Sequence, residues 1–155
     1  MTDNKEYLSK EKLAELKLEL EDLSTTKRRE IAQSLEQAKS LGDLRENSEY
    51  QEARTAQAAL EERIAYLASV IKRAVIVESH HSSKVEVGTT LVVCKSGSKD
   101  MQKLTLVGSS EADIASGKVS NESPIGQAMI GKKKGETFVV KTIKGNFEYK
   151  IIDIE

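Results

Sequence analysis

The chain has 155 residues, 38% of them apolar and 32% charged, with 24 Lys and Arg set against 25 Asp and Glu. That near-neutral balance excludes a global basic field of the kind that holds nucleic-acid phosphates. A single cysteine, Cys94, excludes an internal disulfide or a cysteine-built metal cluster, and neither a signal-peptide pattern nor a membrane-length apolar run is visible, so the expected setting is the cytoplasm.

The grammar of the chain changes near residue 77. Before it there is no proline and one glycine, Gly42; after it come the other eight glycines, Pro124 and runs rich in Val, Ile and Thr. The first part predicts helix and the second mainly strand. The expectation is an α+β protein of two domains: a helical hairpin over 1–77, a polar linker over 78–83 and a sheet domain over 84–155.

Ser9 is the expected N-cap of the first helix, with Glu11 in its first turn. Leu13, Leu16, Leu20 and Leu23 alternate steps of three and four, and then Lys27, Ile31 and Leu35 follow at steps of four before Ala38. Three successive steps of four make a stutter, which locally unwinds a supercoil. A second seam runs through Tyr50, Ala53, Gln57, Leu60, Ile64, Leu67, Ile71 and Ala74, where Lys72 and Arg73 suit a helix C-terminus. Set antiparallel, the two seams pair in one register, from Ala38 opposite Tyr50 to Leu13 opposite Ala74. That register uses up the apolar seam within the chain, so it predicts an antiparallel coiled-coil hairpin and a monomer. The turn falls near residues 43–44, beside the helix-breaking Gly42. Arms of about 30 residues would project roughly 45 Å at about 1.5 Å per residue.

The tip, residues 41–50, reads Leu-Gly-Asp-Leu-Arg-Glu-Asn-Ser-Glu-Tyr. Asp43 and Glu46 are three apart and are expected to share a face at the start of the second helix, where the dipole favours negative charge. Two readings of this pair stand. Two carboxylates can offer hard oxygen ligands to Mg²⁺ and orient a water that the metal activates, with another protein supplying the remaining ligands. Alternatively, Asp43 is the N-cap and Glu46 completes a capping box, with no further role. The residue pattern does not choose between them. Gly42, Asn47 and Tyr50 are read as support for the tip: a helix breaker, a side chain able to hydrogen-bond across the turn, and the first seam position after it.

In the second part, strands are expected at 85–93, 103–107, 137–143 and 147–154. Ser-Gly-Ser at 96–98 turns the first two, and Lys-Gly-Asn at 144–146 closes a hairpin between the last two. A short helix is expected over 124–130, with Ser123 as N-cap and Pro124 at the first helical position. The sum is a small, mostly antiparallel sheet domain with one short helix. Cys94 lies in a strand pattern and is read as a small core residue. His80 and His81 sit in the polar linker with no ligand cluster beside them, and are not read as a metal site.

The run Gly-Asp-Leu-Arg-Glu-Asn-Ser-Glu-Tyr at 42–50 closely resembles the tip motif of the bacterial GreA/GreB transcript-cleavage factors. Val-Ser-Asn-Glu-Ser-Pro-Ile-Gly-Gln-Ala-Met-Ile-Gly-Lys-Lys-Lys-Gly at 119–135 resembles that family's C-terminal Ser-Pro-Ile…Gly-Lys motif, and the resemblance covers nearly the whole chain. It implies an FKBP-like C-terminal domain. It also implies a transcription elongation factor that binds bacterial RNA polymerase, inserts its coiled coil into the secondary channel and stimulates cleavage of backtracked RNA, the polymerase remaining the catalyst. By the same match, Asp43 and Glu46 would help hold a Mg²⁺ shared with polymerase acids, with no cofactor bound by the chain alone. Ser123, Pro124 and Ile125 would lie in or near the surface that docks on the channel rim. Arg45, Arg54 and Lys39 become candidates for contact with the RNA 3′ segment, the alternative being a solvated face with helix salt bridges.

Some positions depart from the family pattern. Gln127 stands where many members have Arg, Glu122 where many have Asp, and Arg28-Arg29 where Arg-Pro is common. The first two bear on docking rather than on the tip. Six basic and six acidic side chains over 27–54 leave no large basic patch, which favours the GreA type and short cleaved fragments. Two rival functions share parts of this pattern. An inhibitory relative of the same fold would alter the tip acids, which this chain keeps. An FKBP-like prolyl isomerase or chaperone needs an aromatic-lined pocket, and residues 78–155 offer only Phe138, Phe147 and Tyr149.

Overall fold

A computed structural model describes residues 4–43, 47–78 and 82–155. The chain divides into two compact units: one is Leu13–Arg73, and the other combines the segment up to Lys12 with everything from Ala74 onward.

The first unit is the hairpin. Helix α1 (Lys10–Asp22) passes through a π-helical turn at Leu23–Lys27 into α2 (Arg28–Ser40), and α3 (Ser48–Arg73) returns. The π turn stands where the stutter begins. A π turn takes an extra residue into one helical turn, so the surplus position is absorbed locally. Leu16, Ala38, Ala53, Leu60 and Leu67 are buried along the seam, and Ile31, Leu35, Tyr50 and Ile64 are half-buried. Lys27 and Gln57 sit at seam positions by count yet are exposed. Val70, outside the counted seam, is 1% exposed; an ideal helix drifts against a strict seven-residue repeat, so its buried stripe moves off the counted positions. Across the two arms Arg28 pairs with Glu61 at 2.7 Å and Arg63 with Glu19 at 2.8 Å, in the antiparallel sense the seams predict. Helix α3 has 26 residues, so the arm runs about 39 Å rather than 45 Å at about 1.5 Å per residue. It is shorter mainly because α3 begins at Ser48, past the expected turn at 43–44, and by one residue because Ala74, expected to close the seam, opens a strand instead.

In the second unit, strand β1 (Glu6–Leu8) pairs in parallel with β2 (Ala74–Ile76). Neither was expected, since three residues are too few for a period-two pattern to register. The main sheet contains β3 (Thr90–Lys95), β4 (Met101–Val107), β5 (Lys118–Ser120), β6 (Thr137–Thr142) and β7 (Gly145–Ile154), in the order β5-β4-β3-β7-β6. Its pairings are antiparallel except β4 with β5. Residues 85–89, read as the start of a strand, form a turn closed by Thr89 N–H donating to the Glu86 carbonyl at 3.0 Å. In the last hairpin Thr142 pairs directly with Gly145, leaving a two-residue loop.

Helix α4 (Pro124–Met129) carries Met129 into a core of Val85, Leu91, Val93, Leu106, Val119, Phe138, Val140 and Ile151. A mostly antiparallel sheet holding one short helix is the FKBP-like layout the resemblance implied. Cys94 is half-buried rather than core, its thiol donating to the Ser98 carbonyl at 3.1 Å in the β3–β4 turn.

Candidate functional site

At the tip, α2 ends at Ser40, and Leu41 N–H still reaches the Ala38 carbonyl at 3.2 Å. Gly42 then takes φ +127°, a backbone conformation that side-chain-bearing residues rarely adopt. Asn47 bridges the two helices. Its Nδ2 donates to the Ala38 carbonyl at 2.6 Å, and its Oδ1 accepts from Tyr50 N–H at 3.2 Å. The Asn47 carbonyl accepts from Gln51 N–H at 3.1 Å. Asn47 is therefore the N-cap of α3 and also a cap on the C-terminal carbonyls of α2. An amide can do both because it carries donor and acceptor together, whereas an ionised carboxylate only accepts.

This corrects the expectation for Asp43. It is exposed and precedes α3 by five residues, so it neither caps that helix nor shares its first-turn face. The capping reading of Asp43 fails because Asn47 occupies the cap. Glu46 lies outside the described residues, as do Leu44, Arg45, His80 and His81. An asparagine immediately before the first helical residue is a strong cap signal, and would have identified this role from the sequence.

Among the described residues no cluster of three or more His, Cys, Asp or Glu side chains converges as a metal site. A tip acid such as Asp43, exposed on a loop and outside the helix cap, is chemically suited to a hard cation such as Mg²⁺. Two tip carboxylates would leave most of its octahedron to ligands from elsewhere.

Of the basic residues near the tip, Lys39 on the last turn of α2 and Arg54 on the second turn of α3 are exposed. Lys27 and Arg28, further down, are engaged: Lys27 with Glu30 at 2.9 Å and Arg28 with both oxygens of Glu61. Those hydrogen bonds hold the Glu61 carboxyl below its ordinary range and raise Arg28. For these two residues the solvated salt-bridge face is what the structure contains.

In the other unit, Ser123 Oγ accepts from Gly126 N–H at 3.1 Å and donates to the Ser120 carbonyl at 2.7 Å. It is the N-cap of α4, with Pro124 exposed at the first position and Ile125 half-buried against the core. Glu122 braces the loop before the helix, accepting from Ser109 Oγ at 2.7 Å. Gln127 is exposed on α4. The aromatic residues are committed elsewhere: Phe138 is 3% exposed in the core and stacks on Tyr149, and Lys95 Nζ covers the Phe147 ring. This disfavours a prolyl-isomerase pocket.

Comparison with known proteins follows the same division. Residues 79–155 match the family described as Transcription elongation factor, GreA/GreB, C-term, and residues 6–76 match Transcription elongation factor, N-terminal. Transcription elongation factor GreA of Roseiflexus castenholzii is 40% identical over the whole of both chains. GreA of Streptococcus gordonii is 45% identical over 90% of this chain and 89% of its own. Among solved structures, the GreA factor homolog 1 of Thermus thermophilus is 25% identical, with 98% of this chain and 99% of that one covered, at a TM-score of 0.46. With both halves matched and full-length relatives at this identity, the chain belongs to the GreA/GreB family of transcription elongation factors.

Proposed function

We propose that this elongation factor docks on bacterial RNA polymerase through the surface around residues 123–125 and inserts its hairpin into the secondary channel. There it lends Asp43 and Glu46 to the polymerase active site, so that backtracked RNA is hydrolysed and arrested complexes resume elongation. The observation that carries this reading is the exposed Asp43 on the tip loop, set outside a helix cap that Asn47 already provides. An arm of about 39 Å suits reach through a pore.

The tip carboxylates would accept hydrogen bonds from a water and hold it against the RNA phosphate, as part of a ligand set completed by polymerase acids. A shared Mg²⁺, when bound, lowers the pKa of that water and so supplies the nucleophile. The polymerase remains the catalyst, and this chain acts as a cofactor protein rather than an enzyme. Lys39, Arg45 and Arg54 would lie along the extruded RNA 3′ segment. Among the described residues no helix is long and apolar enough to cross a membrane. Action on RNA polymerase would put the factor in the bacterial cytoplasm. The self-paired seam supports a monomer. Retention of both acids favours cleavage over inhibition.

The test is a cleavage assay on a backtracked complex with the cognate polymerase. Asp43→Asn and Glu46→Gln should each lower stimulation at least about tenfold, as loss of a metal-site group does, while still competing with the wild type for polymerase. Unchanged cleavage in either variant would remove that residue from the site. Pro124→Glu should raise the concentration needed for half-maximal effect; a wild-type value would place the docking surface elsewhere.

A further inference from the structure

Strands β4 and β5 pair in parallel and end level, with Val107 opposite Ser120. Their ends bring Ser109, just past β4, to Ser120, the two hydroxyl oxygens lying 3.1 Å apart. Ser109 Oγ also donates to the Glu122 carboxylate at 2.7 Å. A hydroxyl has one proton to give, so between the two serines Ser120 is the donor. Ser120 Oγ in turn accepts Glu122 N–H at 3.1 Å. The three bonds close a ring: it leaves Glu122 at its backbone N–H, passes through Ser120 and Ser109, and returns to Glu122 at its carboxylate. All the donors point one way around it, so each bond polarises the next, and the last ends on a charge. The same loop is seated on the start of α4. The Ser120 carbonyl accepts Ser123 N–H at 3.1 Å and Ser123 Oγ–H at 2.7 Å, and a Cβ at Gly126 would collide with it. All of these residues belong to one compact unit.

An exposed glutamate ordinarily samples many rotamers, and a partner that binds it must order them. Glu122 is exposed, yet it is held at both its backbone and its carboxylate. Ser109 takes one carboxylate oxygen; the other has no partner among the described residues. We propose that Ser109 is a positioning residue for docking: the ring presents the Glu122 carboxylate in one orientation, two residues before Pro124, to a hydrogen-bond donor on polymerase. The proposal rests on the docking role given above to residues 123–125 and is independent of the tip. Ser109 need not touch the partner. It acts by meeting the ordering cost of Glu122 before the two proteins associate.

The experiment titrates the full-length factor against a backtracked complex, reading half-saturating concentration and maximal cleavage rate separately. Ser109→Ala should raise the half-saturating concentration about tenfold, the effect of losing a hydrogen bond to a charged group, while saturating factor still reaches the wild-type maximal rate. Ser109→Thr keeps the hydroxyl and should stay within about twofold of the wild type. A double-mutant cycle then asks whether Ser109 works through Glu122. Made in a Glu122→Ala background, Ser109→Ala should add less than about twofold. A merely structural role would add its full effect in that background, and that result, or an unchanged half-saturation for Ser109→Ala alone, overturns the proposal. Should Ser109→Ala not fold, Glu122→Asp tests the ring from its other end. It keeps the charge but shortens the side chain by a methylene, so it should raise half-saturation by a similar factor; a wild-type value overturns the proposal. Pro124→Glu runs in parallel. If it fails to shift half-saturation, the docking assignment falls; if it shifts while Ser109→Ala does not, only the positioning proposal falls.

Discussion

The two units of this protein are held together by different means. In the sheet unit nine buried side chains make one core, and Leu91, Leu106, Met129 and Ile151 are wholly enclosed. In the hairpin the buried residues form a single file, and toward the tip that file shrinks to Ala38 and Ala53. An alanine seam gives little apolar area per residue, and at the end of the hairpin Asn47 adds hydrogen bonds that join its helices. The difference separates fold from chemistry: the unit with a core is the one that carries the proposed docking surface, while the tip, proposed to enter another protein's site, has little core of its own.

The largest test of this contrast is Leu106→Ala. Removing a fully buried leucine should cost about 2–5 kcal/mol in a core that relaxes only in part, measured by urea unfolding. Amide hydrogen exchange should then quicken in β3, β4 and β7 while the middle of α3 keeps its protection; equal quickening in both would show that the units unfold as one. Next in size is Asn47→Ala, expected to cost about 1–2 kcal/mol as a lost cap. It should speed exchange at Tyr50 and Gln51 and lower cleavage stimulation with the sheet undisturbed. Asn47→Asp keeps the acceptor for Tyr50 N–H but loses the donor to Ala38, so it should fall between alanine and wild type; a fully wild-type Asp variant would mean that the bond across the turn is dispensable. Ser123→Ala should cost about 1 kcal/mol, read as faster exchange at Gly126 without any change at the tip.

The smallest effect concerns pH. Arg28 holds the Glu61 carboxyl below its ordinary value of 4.5. A carboxyl depressed in the folded state adds stability above its unfolded pKa and loses it as pH falls through the lower folded value. Acid melting curves of Arg28→Ala should therefore approach those of the wild type as pH falls below 4.5 and through the lower folded value. Because both side chains are about half exposed, salt should shrink the difference. A gap that persists in acid and salt would point to packing by the Arg28 stem instead.

Much of the hairpin was legible because its signals are local and repeated. The stutter after Leu23 located the π turn, Ser9 was readable as a cap, and Gly42 marked the end of α2. The same holds for Ser123 and Pro124 at the start of α4. The assignment of Asp43 to a helix face failed for a definite reason. Asp, Asn and Ser all favour caps, and a pattern search that starts from the acids reaches Asp43 before Asn47.

From the sequence alone came the division near residue 77, the antiparallel sense of the seams, and an acid-bearing turn between them. Those follow from periodicity and from the positions of glycine and proline, which each stretch of chain expresses without reference to the rest. Tertiary structure decided which residue caps α3, because that depends on the Ala38 carbonyl lying within reach of Asn47. It also decided that the segment before Lys12 joins the sheet unit. β1 pairs with β2, and Glu6 and Ser9 meet Ser110 and Glu111 across more than 100 positions of sequence. Hydrogen bonds over such separations leave no period in the chain, so only the folded arrangement reveals them.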